Sequence, residues 1–390
     1  MGTGAISGLF VSFPYAHASN PMIILSLIVF FLNLVLFALF TTLMVAKYLS
    51  FPEKWSLLIR NPVTSLYLGC FPMAGTTLIN IATQVVHAKY NVGGKGFLYF
   101  IWAMWWLDVI ISFLCCWVGV HVMFTHQTHS LQSMNAMWLL PVVTLIVGSS
   151  SGGVVADALK QYSTIHALET VVVSAFMVTV GLSLALMILT IYLLRLIVHG
   201  LPPGPTILSV FLPLGPTGQS GYAILLIGQN FSTLFPPILG KAQVVDSSKN
   251  SAGMVVDVIC TCISFVFWSL ATMWILYALL AVYSGLRKST IRYRISFWGL
   301  VFPNGVYANL TIQLSYVFDS RSFRVWGAIY AAATLVLWLS ILIRSIWELR
   351  TFLTMPETSM PETSMVPEMD EVQRQDHHHK STDTSMKEPA

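Results

Sequence analysis

Ten apolar stretches divide this chain, and nine of them are each long enough to cross a bilayer. The nine run over 22–46, 62–86, 97–122, 137–156, 165–195, 207–230, 254–284, 295–316 and 323–349, and a shorter stretch opens the chain from Met1 to Phe13. A membrane helix needs about 20 apolar residues rising 1.5 Å each, so the opening stretch reaches only roughly two-thirds of the hydrocarbon thickness. It has no basic amino-terminal region and no small-residue cleavage site, so a cleaved signal peptide is not expected. Charge excludes an aqueous exterior. Only 9% of the 390 residues are charged against 56% hydrophobic, whereas a soluble domain carries about 25% charged residues. The sequence therefore predicts an all-α integral membrane protein, because only segments that satisfy their own backbone hydrogen bonds can cross lipid.

The remaining composition narrows the function classes. A net charge of +4 is spread through the loops without a dense basic patch, so nucleic acid is not an expected partner. Cys70, Cys115, Cys116, Cys260 and Cys262 all lie in apolar stretches, which speaks against disulfides and zinc. No cofactor or metal is predicted. Lys47, Lys54, Arg60, Arg195, Arg287, Lys288, Arg292, Arg294, Arg344 and Arg350 fall on one side, against Lys89, Lys95, Lys160, Lys241, Lys249, Arg321 and Arg324 on the other. The excess of near-membrane basic residues votes for a cytoplasmic C-terminus. Residues 1–353 read as one membrane domain. Residues 354–390, with a tandem Met-Pro-Glu-Thr-Ser repeat from Met355 to Ser364 and a His377-His378-His379 run, read as a disordered cytoplasmic tail.

Proline placement carries the most information. Apart from Pro62 at the edge of its span, the prolines within the ten spans are Pro72, Pro141, Pro213, Pro216 and Pro303, all in odd-numbered spans, and glycines lean the same way. Proline removes a backbone donor and clashes one turn back. Freed backbone groups are tolerated only against protein or a watery cavity, so the odd helices are expected inside and the even ones facing lipid, as five hairpins. Each break is expected to restart a helix whose amino end holds partial positive charge and open N–H groups, a device that suits anions. No Lys, Arg or His lies near the middle of an odd span, which predicts a neutral path. Its candidate lining groups are Thr76, Thr77 and Asn80, then Ser149, Ser150 and Ser151, then Gln219 and Ser220, then Asn304 and Asn309. Each could instead hydrogen-bond a neighbouring helix. Asp108 lies near the middle of an even span and is expected protonated or paired at a helix contact. His166 and Glu169 share a face with metal-compatible spacing, but a local hydrogen bond is the better reading. Asn230-Phe231-Ser232 reads as a glycosylation sequon in an outer loop. No set of nucleophile and base, or metal triad, supports a membrane-embedded enzyme.

Several ordered motifs resemble the tellurite-resistance/dicarboxylate transporter family. They are Gly2-Thr3-Gly4, Asn61-Pro62, Phe71-Pro72-Met73-Ala74-Gly75, Leu140-Pro141, Ser149-Ser150-Ser151-Gly152-Gly153, Gly215-Pro216-Thr217-Gly218-Gln219-Ser220-Gly221 and Phe302-Pro303-Asn304-Gly305. Within the family the fungal sulphite exporters are the nearest likeness. The resemblance implies ten transmembrane helices in a pseudo-five-fold hairpin array around a central pore, commonly as homotrimers, in the plasma membrane. It implies a small inorganic anion, sulphite or bisulphite, as substrate, with malate and other C4-dicarboxylates, or anions generally, as the alternative. It also implies a phenylalanine gate on the ninth helix, matched here by Phe302. Phe71, which likewise precedes a proline, is a candidate for a second part of the constriction. In the family the Gly-Thr-Gly lies inside the first helix, so that helix looks truncated here.

Overall fold

The computed structural model describes residues 1–15, 19–202, 204–239, 249–288 and 293–354. The tail repeat, the His377–His379 run, Lys241 and Arg292 lie outside them. The regular elements among the described residues are all helical: α1 Gly2–Ser12, α2 Asn20–Ser50, α3 Glu53–Arg60, α4 Cys70–Ile81, α5 Gly94–Thr125, α6 Leu140–Leu159, α7 Thr164–His199, α8 Leu214–Leu239, α9 Lys249–Lys288, α10 Val301–Val317 and α11 Arg321–Thr354. Eight helical segments among the described residues are long and apolar enough to cross a membrane. Two of the ten expected spans are not in that set. The helix α1 has 11 residues, and α10 has 17 and is interrupted by Asn304, Asn309, Thr311 and Gln313. The amphipathic α3, with no buried residue, falls where the sequence reading placed only a loop.

Burial separates the two sets of helices that proline distinguishes. The apolar core of Ala136–Leu159, which holds α6, is 100% buried, and that of Thr206–Leu234, which holds most of α8, is 78% buried. The corresponding windows of α5 and α9 are 22% and 17% buried. The outer helices can afford such exposure because lipid is as apolar as their Leu, Ile and Phe side chains.

The five prolines singled out above sit at changes of helix type. Short 3₁₀ stretches over Ser65–Gly69, Ala136–Leu139, Gly204–Phe211 and Ile295–Leu300 lead into α4, α6, α8 and α10. Pro72, Pro141, Pro216 and Pro303 then occupy the first turn of the α-helix, and Pro213 directly precedes α8. That is where a missing N–H costs least. The consequence differs from the expected open amino ends. The first amides of α4, α6 and α10 donate to carbonyls of the 3₁₀ turns, Cys70 to Leu68 and Tyr67, Leu140 to Met137 and Val301 to Trp298. In α8, Gly215 donates to Leu212 and Thr217 to Pro213. These backbone donors are occupied, because the tighter 3₁₀ winding feeds its own carbonyls to the next turn.

Met1–Leu339 form one compact unit. In it α1 packs on α2, α4 on α5, α6 on α7 and α8 on α9, while α4 also packs on α6, α6 on α8, α8 on α10, and α10 on α1. Small residues set the closest approaches: a Cβ on Gly69 would lie 2.7 Å from the Leu140 carbonyl oxygen. The second unit starts at Ser340, and its described part continues α11, where Arg344 and Glu348 pair at 3.7 Å.

Several helices overrun their predicted limits, with one functional correction. The helix α8 extends to Leu239, so Asn230 lies inside it and is 2% exposed. Its amide donates to the carbonyls of Gly153 and Leu226 at 3.0 and 2.7 Å. The expected glycosylation site is therefore a helix-packing residue.

Candidate functional site

A cavity of about 290 Å³ lies among the buried helices, and the residues lining it come from α1, α4, α6, α8, α10 and the π turn Ala82–His87 that follows α4. Helical periodicity explains which side chains reach it. In α10 the lining positions are Phe302, Gly305, Val306, Asn309 and Gln313; in α4 and its π turn they are Thr77, Asn80, Ile81 and Gln84. Gly4, Ala5, Gly8, Leu9 and Ser12 supply the α1 wall, Val147 the α6 wall, and Gln219 and Tyr222 the α8 wall. Among the described residues no Asp, Glu, Lys, Arg or His lines the cavity. Phe302 begins the α10 stripe and is 5% exposed.

The polar lining groups are wired in distinct ways. Thr77 donates to the Ala74 carbonyl at 2.8 Å and accepts from Asn33 of α2 at 3.2 Å. Gly4 makes room for this pair, since a Cβ there would overlap Thr77 and reach Asn33. Ser12 donates back to Gly8 at 3.1 Å. Gln219 donates to the Ser150 hydroxyl, which itself donates to the Val147 carbonyl. The Tyr222 hydroxyl interacts with the side chains of Asn309 and Gln84. Asn80 has its side-chain oxygen enclosed without a partner.

The cavity thus gathers Thr77, Asn80, Gln219, Asn309 and Phe302 of the residues singled out from sequence. The others lie elsewhere. Thr76 is fully buried and donates to the Met73 carbonyl. Ser149 donates to the Ser174 carbonyl of α7 at 2.7 Å, and Ser150 stands behind Gln219. Ser151 and Ser220 are fully buried, with hydroxyls that have no partner among the described residues. Asn304 donates to Leu300 and accepts from Tyr330 of α11 at 2.6 Å. Phe71 is half-buried with its ring stacked on Phe37 of α2 at 5.3 Å, so it packs between helices and does not line the cavity. Gln84, Tyr222 and Gln313 line it without having been singled out. Continuing the Thr77–Asn80 stripe by four residues reaches Gln84, and continuing from Asn309 by four reaches Gln313.

Two lone groups are also placed. Asp108 is 6% exposed on α5, packed against the bare backbones of Gly75 and Gly148, with one carboxyl oxygen unpartnered and no ion pair among the described residues. His166 hydrogen-bonds the Tyr99 hydroxyl of α5 at 2.9 Å and lies on the Trp102 ring, so its partners stand on a neighbouring helix.

Comparison with known proteins shows the family. Residues 1–346 match the sequence profile of the voltage-dependent anion channel family. The chain is 32% identical over 348 residues to the sulphite efflux pump of Arthroderma otae, covering 89% of this chain and 88% of that protein. It is 27% identical over 356 residues to the sulphite efflux pump of Candida albicans, covering 85% and 69%. It is 21% identical over 344 residues to the malic acid transport protein of Schizosaccharomyces pombe, covering 88% and 75%. The match spans every helix that borders the cavity and carries the motifs noted in the sequence, and the chain belongs to the voltage-dependent anion channel family.

Proposed function

We propose that the protein exports sulphite or bisulphite by letting the anion pass through a neutral central pore gated by Phe302. The reading takes the chain as ten membrane helices in five hairpins, with a proline-broken inner helix in each except the glycine-rich first, arranged about a pseudo-five-fold axis. The observation that carries it is the uncharged cavity lined by α1, α4 with its π turn, α6, α8 and α10. The return of α10 onto α1, after α4, α6 and α8 have each packed on the next, supports a closed ring. The sulphite pumps among the relatives supply the cargo. An inside-negative membrane potential drives an anion outward by about 2.3 kcal/mol per charge per 100 mV, so no nucleotide is required. A neutral corridor suits passage because the ion must leave as readily as it enters. Phe302, the first α10 residue on the cavity wall, is the gate in this reading.

In this reading the protein sits in the plasma membrane as a homotrimer with its C-terminus cytoplasmic. A malate or broader anion carrier is the second reading, favoured by the malic acid transport relative. The deciding experiment compares radiolabelled sulphite and malate flux into liposomes containing the purified protein at clamped voltage. Voltage-driven sulphite flux well above that of malate is expected. Malate flux without sulphite flux would move the assignment to the second reading, and flux of neither would end both.

A further inference from the structure

We infer that the anion is recognised by a ladder of side-chain carboxamides, those of Asn80, Gln84, Gln219, Asn309 and Gln313, whose N–H groups select a small oxyanion. The inference rests on the transport reading and names what that pore binds. It follows from an inventory of donors. No cationic side chain is among the described residues lining the cavity, and the amides of Cys70, Leu140, Val301, Gly215 and Thr217 at the starts of α4, α6, α10 and α8 already donate to carbonyls of the preceding turns. The hydroxyls of Thr77 and Ser12 are spent on Ala74 and Gly8. What remains facing the space is five carboxamides, with the Tyr222 hydroxyl between Gln84 and Asn309.

Orientation favours an anion over a cation. The Asn80 oxygen is enclosed without a partner among the described residues, which leaves its two N–H groups for the cavity that Asn80 lines. Gln219 gives one N–H to Ser150 and keeps a second, because each carboxamide carries two donors. Asn80 and Gln84 lie one turn apart, as do Asn309 and Gln313, so the donors form rungs separated by about 6 Å along α4 and α10. An anion can pass from rung to rung without meeting a fixed positive charge that would trap it. Paired N–H groups engage two oxygens of one anion, as bidentate donors do elsewhere. A halide offers one centre and gains less. Selection between anions of equal charge then comes from acceptor geometry.

The test uses the full chain in liposomes and reads the sulphite-to-chloride permeability ratio from reversal potentials. Asn309→Leu is expected to lower that ratio at least tenfold while chloride still passes. Asn80→Asp, nearly the same size but with an acceptor and negative charge in place of the N–H, is expected to depress flux of both anions at least tenfold. If the leucine variant fails to assemble, Asn309→Asp gives the same reading as Asn80→Asp. A ratio unchanged within twofold in Asn309→Leu, or anion flux unchanged in the aspartate variants, overturns this inference alone when the parent protein conducts sulphite. A parent protein that conducts no anion overturns the transport reading and this inference with it.

Discussion

At the scale of single residues the decisive comparison is between Phe302 and Asn304, two positions apart on α10 and facing opposite ways. Phe302 abuts open space, so Phe302→Ala is expected to raise anion flux several-fold in liposomes while melting in detergent stays cooperative. Reduced flux with unchanged melting would contradict a gate. Asn304 instead belongs to a contact with α11. Tyr330→Phe would strip the Asn304 oxygen of its donor, and an unsatisfied buried acceptor costs about 1–3 kcal/mol. A lower melting temperature with an unaltered sulphite-to-chloride ratio is expected. Residue types alone announced that each of these groups needs a partner, but not on which side of the helix the partner stands. Successive residues turn about 100°, which places 302, 305, 306, 309 and 313 on one face and 304 on another. The serines of 149–151 were misleading for a related reason: small hydroxyls suit a tight helix contact as well as a watery path.

The inner elements share one construction, a 3₁₀ lead-in followed by an α-helix whose first turn holds the proline. Close packing at these junctions is testable at Gly69, whose added Cβ would press on the Leu140 carbonyl, a backbone atom that cannot swing aside. Gly69→Ala is expected to destabilise by about 1–3 kcal/mol, the usual cost of overpacking, seen as a lower melting temperature. Gly299→Ala, in the lead-in to α10 with nothing within 4 Å of the new Cβ, is expected to leave melting unchanged. The sequence made a division into covered and exposed helices readable, because the prolines inside the spans fall in, and glycine leans toward, the segments that protein covers. It did not reveal the 3₁₀ turns, since proline marks an interruption without saying which winding precedes it. The amphipathic α3 is not legible in the sequence because eight residues with charges at both ends lack the length that announces a membrane helix.

For the whole molecule, burial makes a statement about lipid. On α5, Trp117 is 54% exposed and Trp105 is fully buried. In single-tryptophan variants reconstituted with brominated acyl chains, Trp117 fluorescence should be strongly quenched and that of Trp105 nearly untouched; equal quenching would mean that the outer helices do not face the bilayer. Membrane class and family were readable from end to end of the chain because they rest on hydropathy and ordered motifs. The cavity was not, since its walls come from five segments far apart in sequence whose rotations are set by packing. Its lining has one further consequence. Carboxamides, aliphatic hydroxyls and hydrocarbon neither gain nor lose a proton between mild acid and mild base, and tyrosine does so only near pH 10. A flux that varies with acidity across the neutral range would therefore trace something other than the lining, either the cargo or the Asp108 carboxyl behind the α4 and α6 walls, and a curve unchanged by Asp108→Asn would identify which ionic form of the cargo makes the crossing.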